Sequence, residues 1–237
     1  MRHHFADATA ARDAVIAGRL QDVRAPLTAL ASAEREPELP NDWQPWLDDM
    51  QAAARRGAAA RTLDEAAASV AVLGTTCGEC HRTTHGGLRD AARPSSGYDP
   101  KNRKGLEEKM ARHKFSADAL WVGMTLLEHQ AWADGAAALM NIDVPGLVNE
   151  HGTKETQERH ATGEGALAEA PDPRLPTQET AGNAAPGAID LDAAMRELRA
   201  LGTQADQAKI ASEKQAVFGA IIARCGDCHA RAGVKLP

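Results

Sequence analysis

The sequence predicts an all-α protein built as two repeated halves. Aromatic residues make up only 3 % of the chain while alanine is abundant, and proline and glycine gather in a few stretches, a composition that suits helices better than sheets. Apolar residues recur at steps of three and four, the spacing of one buried helix face. The same pattern then returns downstream, so each half is expected to be a small bundle of four helices.

The opening helix of each half begins Met-x-x-His. "MRHHFADATAARDAVIAGRL" lies over "MARHKFSADALWVGMTLLEHQ", pairing Met1 with Met110 and His4 with His113, and a second helix follows in each case. Two more helices close each half. Aligned without gaps, "WQPWLDDMQAAARRGAAARTLDEAAASVAVLGTTCGECH" matches "LDAAMRELRALGTQADQAKIASEKQAVFGAIIARCGDCH", with Trp43 over Leu191, Leu47 over Met195, Met50 over Leu198, Val70 over Phe218 and Leu73 over Ile221. Between the halves, "RPSSGYDPKNRKG" concentrates turn formers and charges, marking a boundary near residues 94–105. The expected organisation is a first domain at 1–95, a linker at 96–105 and a second domain at 106–237. The late repeat is displaced further than the early one by roughly 39 residues, which places a long loop insertion at 142–187, rich in Thr, Glu, Gly and Pro.

A net charge of -6 and a pI near 5.8 argue against a nucleic-acid partner, because a phosphate-binding face needs surplus Lys and Arg. No apolar run approaches the roughly 18 residues of a membrane span, and "MRHHFADATA" does not read as a secretory leader.

All four cysteines fall into two pentapeptides, Cys77-Gly-Glu-Cys80-His81 and Cys225-Gly-Asp-Cys228-His229. This is the attachment motif of c-type haem, in which two thiols three apart add to the two vinyl groups of a porphyrin edge and the next histidine binds iron. Paired zinc knuckles sit about 12–20 residues apart, whereas Cys80 and Cys225 are separated by more than a hundred. A thioredoxin-like pair needs a βαβ context that this sequence lacks. The expected cofactors are therefore two covalently attached haems, held by Cys77, Cys80, Cys225 and Cys228, with His81 and His229 as iron ligands.

In these motifs the chain resembles the c-type cytochromes, and that resemblance implies maturation outside the cytoplasmic membrane, a periplasmic location with the leader cleaved or left out. The attachment motif ends each half rather than opening it. That order resembles the class II, cytochrome c′-like bundles, in which the first helix faces the haem carried by the last. A sixth ligand from the protein must then come from upstream, and His4 and His113 are favoured, since residues three apart share a helix face. His3 is the rival of His4, because a one-residue slip aligns Phe5 with Phe115, and Met1 and Met110 are the alternatives at each motif's start.

His85 is read as marking the fraying end of the haem helix, and His129, His151 and His160 as solvent-exposed, with His151 and His160 keeping a residual claim as ligands from a loop folded over the second haem. Arg82 and Arg231, just after the proximal histidines, are candidates for meeting haem propionates. Trp121 and Trp132 are assigned to core packing. No nucleophile–base constellation or phosphate cradle is visible, and no catalytic residue is assigned. The expected function is single-electron transfer between redox protein partners outside the cytoplasmic membrane, with His/His-ligated haems. The alternatives are an open haem that binds NO or CO or acts as a peroxidase, and a wired subunit of a larger redox complex.

Overall fold

The computed structural model describes residues 2–33, 40–84, 105–141 and 190–233. Met1, the side chain of His3, His85, His151, His160, most of the expected linker and the 142–187 insertion lie outside the described residues. Among the described residues all regular structure is helical: α1 (Arg2–Ile16), α2 (Leu20–Ala31), α3 (Gln44–Ala58), α4 (Leu63–Thr84), α5 (Gly105–Thr125), α6 (His129–Met140), α7 (Leu191–Gln207) and α8 (Ala211–Ala232). The all-α expectation is met. No helix among them is long and apolar enough to cross a membrane.

The helix ends repeat in the register that pairs His4 with His113. Under that shift α2 falls on α6 end for end, and α1 and α5 stop at the equivalent residues Ile16 and Thr125. Under the later shift α4 and α8 coincide over their whole length. Local chemistry repeats as well. Glu65 accepts a hydrogen bond at 2.7 Å from the main-chain N–H of Arg61, and the equivalent Glu213 accepts from Lys209 at 2.8 Å and from Ile210 at 3.3 Å, so a carboxylate caps each long helix.

Within each half the helices pack in chain order, and the fourth returns to touch the first. Between the halves α4 lies on α8, α8 on α1 and α4 on α5. One continuous core runs through both, including Leu27, Leu30, Val70, Leu73, Leu120, Trp121, Leu198, Phe218, Ile221 and Ile222. Burying a Leu, Ile or Phe side chain of this kind contributes about 1.5–3 kcal/mol.

The contact between the halves has the pattern of a two-fold interface, in which residue i meets j′ and j meets i′. Arg12 Nη2 donates to Asp118 Oδ1 at 2.7 Å, and the equivalent pair is Trp121 Nε1 donating to Thr9 Oγ1 at 3.3 Å. Higher numbers on one helix thus meet lower numbers on the other, so α1 and α5 run antiparallel. Arg12 and Trp121, which are themselves equivalent, stack on each other at 5.8 Å, and Trp121 stacks on Phe218 at 5.7 Å. Helices α4 and α8 also run antiparallel, crossing where Gly219 faces the equivalent Ala71, with Thr75 Oγ1 donating to Gln215 Oε1 at 2.9 Å. Trp132, also buried, donates from Nε1 to the Ala205 carbonyl at 2.8 Å. Both Trp121 and Trp132 are core residues, as their spacing predicted.

Candidate functional site

Both pentapeptides are fully helical. Cys77–His81 lies in the last two turns of α4 and Cys225–His229 in the last two of α8. A helix carries residues three and four apart on one face, so in each motif the two thiols stand together with the histidine one turn beyond the first. All four thiols are free. Desolvation, and then the neighbouring thiol, push Cys77 and Cys225 up to about 12, and burial also raises Cys80 and Cys228.

Because α4 and α8 are antiparallel, the two motifs lie toward opposite ends of the molecule and the thiol pairs do not meet. No three His, Cys, Asp or Glu side chains converge among the described residues. That geometry offers no four-ligand zinc cluster within them; what it offers at each end is a thiol pair and histidine.

Each terminal histidine is held the same way. His81 Nδ1 sits 2.9 Å from the carbonyl of Thr125, and His229 Nδ1 sits 2.7 Å from the carbonyl of Ile16. Those carbonyls belong to the last residues of α5 and α1, where four C=O groups have no partner within the helix. At α1 the chain turns off through Gly18, at φ +71°, with Gly18 N–H bonded to Val15 O and Arg19 N–H to Ala14 O. This Schellman arrangement uses the neighbouring carbonyls and leaves that of Ile16 to the histidine. A carbonyl only accepts, so Nδ1 carries the proton in both rings, and in the neutral imidazole Nε2 is then the atom with the lone pair. The close approach explains the glycine in each motif: a Cβ on Gly78 would come within 2.3 Å of Met124 O, and one on Gly226 within 2.3 Å of Val15 O.

The candidate distal histidines fall at the matching ends. With α1 and α5 antiparallel, His113 lies toward the Ile16 end, beside His229, and His4 lies toward the Thr125 end, where His81 docks. His113 Nε2 is buried and has no hydrogen-bond partner among the described residues. Burial, then the nearby His229 and Arg112, lower its pKa to about 4, so the ring is neutral and can offer a lone pair at ordinary pH. An unsatisfied buried imidazole nitrogen is costly, on the order of 1–3 kcal/mol, unless something occupies that lone pair.

Other sequence-level candidates fall elsewhere. His129 is exposed at the start of α6. Arg82 pairs with Glu79 at 2.7 Å and Arg231 with Asp227 at 2.9 Å, each within its own helix. Sequence reasoning missed the carbonyls of Ile16 and Thr125, which no side chain announces, although the repeated Cys-Gly-x-Cys-His was a legible sign of close approach. It also missed Arg12, buried at the contact between the halves. No family model, curated protein or solved structure matches the chain.

Proposed function

We propose that this chain is a c-type cytochrome, its two halves being four-helix haem domains of the class II, cytochrome c′-like kind. Within that class we read it as a diheme electron carrier working outside the cytoplasmic membrane, between a redox donor and a redox acceptor protein. When bound, a haem supplies one-electron chemistry at its iron. Cys77 and Cys80, and Cys225 and Cys228, hold the porphyrins; His81 and His229 ligate from the attachment side, and His4 and His113 from the other.

The observation that carries this reading is the pairing at the α8 end: a histidine whose Nδ1 is engaged by a main-chain carbonyl, beside a second histidine whose Nε2 is buried without a partner among the described residues. That donor set fits a haem with two imidazole ligands. The Nδ1–H···O=C contact fixes the ring's orientation and raises its basicity, which favours the oxidised iron. Two imidazoles at each iron would exclude small molecules, making the carrier function preferable to gas binding or peroxidase turnover. About eleven residues of α5 separate the levels of Ile16 and Thr125, roughly 16 Å along the helix.

The test is to express the chain with c-type haem maturation, count covalent haems by mass and record visible spectra. Two additions per chain and low-spin spectra are expected, and His113→Ala turns one of the two haems high-spin. A colourless product, or spectra that His113→Ala leaves unchanged, overturns the assignment.

A further inference from the structure

The contacts at the two ends cross between halves. His229 closes the second half, yet the carbonyl that holds it belongs to α1 of the first; His81 closes the first half, and its carbonyl belongs to α5 of the second. The glycines obey the same exchange. Gly18, in the first half, sits against the second motif, where a Cβ would meet Gly226 O at 2.5 Å and Ala230 Cβ at 2.8 Å. Gly78, in the first motif, sits against Met124 and Leu127 of the second half. Leu127 stands where Gly18 stands in the other copy and shares its left-handed backbone, at φ 58°.

We propose that Ile16 and Thr125 act, through their main-chain carbonyls, as positioning residues in trans: each half sets the tautomer and orientation of the terminal histidine of the other. Neither site is complete within its own half. In return each histidine satisfies a helix-terminal carbonyl of the opposite half and faces the negative end of that helix dipole. The ligand histidine and the helix that orients it are thus one cooperative unit spanning both halves, fastened midway by Arg12–Asp118 and Trp121–Thr9. The significance for redox chemistry rests on the diheme reading, whereas the hydrogen bonds themselves do not require haem.

The two are tested separately. In the full chain prepared without haem, long-range nitrogen–proton NMR of the imidazoles reads the tautomer directly, and nuclear Overhauser contacts read the neighbours. The expected result is an Nδ1–H tautomer at both His81 and His229, with contacts from His229 to Ile16 and Ala17 and from His81 to Thr125 and Leu126. An Nε2–H tautomer at either ring, or contacts confined to its own half, overturns the proposal without any variant.

Gly18→Ala then supplies the crossing test. In the haem-free chain it displaces the His229 signals and leaves those of His81 in place, although it lies in the half that carries His81. In the haem-loaded chain the midpoint potential of the haem on His229 rises, because a weakened Nδ1–H···O bond lowers imidazole basicity, while the other potential stays. A shift confined to His81 or its haem, or equal shifts at both, overturns the proposal. Should the chain take up no haem, the diheme reading fails while the NMR arms still decide the crossing.

Discussion

Replacing Asp118 by Asn removes one charge from the centre of the molecule while keeping the shape of the side chain. Its partner Arg12 has a side chain only 5 % exposed, so its guanidinium has little water to fall back on. Taking one partner from a buried ion pair costs about 3–5 kcal/mol, because the remaining charge is left uncompensated. Two features reduce that figure here. Asp118 is itself 25 % exposed and also receives Lys114 at 2.6 Å, and Arg12 keeps Asp13, which is 57 % exposed. A loss of about 1–3 kcal/mol is therefore expected, between the exposed and buried limits. Urea unfolding followed by far-UV circular dichroism measures it, with Arg12→Met and the double variant completing a mutant cycle. The double variant is expected to be more stable than Asp118→Asn alone, since removing both charges is cheaper than stranding one. The difference is expected to persist in high salt, because a buried pair is poorly screened. A change under about 0.5 kcal/mol, of the size typical of surface substitutions, would refute the claim that this pair joins the two halves.

Two glycines of α8 are expected to respond differently. Gly226→Ala destabilises by at least about 1–3 kcal/mol through its clash with a main-chain oxygen, whereas Gly219→Ala, whose Cβ would make ordinary contacts with Ala71 Cβ at 3.4 Å and with Ala67 O and Ala68 Cα at 3.7 Å, is neutral or stabilising by up to about 1 kcal/mol; denaturant midpoints with equal slopes compare them. Phe218→Ala empties a fully buried site stacked on Trp121 and is expected to cost about 3–5 kcal/mol, read by the same unfolding curves and by a change in tryptophan fluorescence. Glu213 has its pKa lowered by the N–H groups of Lys209 and Ile210, so its contribution is complete above the unfolded value of 4.5 and is lost as pH falls through the folded one. Glu213→Gln is accordingly expected to lower the melting temperature slightly at neutral pH and to converge with the parent in acid. A gap that widens on acidification would contradict that sign.

Much of this organisation is written locally. Helix period, alanine content and capping glutamates depend on neighbours within one or two turns, so the eight α-helices of the described residues and their repeated ends follow from the order of residues. The repeat likewise exposed the two motifs and paired His4 with His113, because gapless self-similarity survives without knowledge of packing. What the chain alone could not declare was which half completes which site. The exchange of His81 and His229 onto the helices of the opposite half depends on antiparallel docking of α1 with α5 and of α4 with α8, contacts between residues more than a hundred positions apart. Their acceptors are main-chain carbonyls, which every residue possesses, so no letter of the sequence marks Ile16 or Thr125. Arg12 illustrates the same limit: a charge in a polar-looking helix becomes a buried contact only when Trp121 and Asp118 arrive from the other copy. Sequence determined the two copies; tertiary structure decided that each finishes the other, since a lone carbonyl or glycine acquires meaning only from what packs against it.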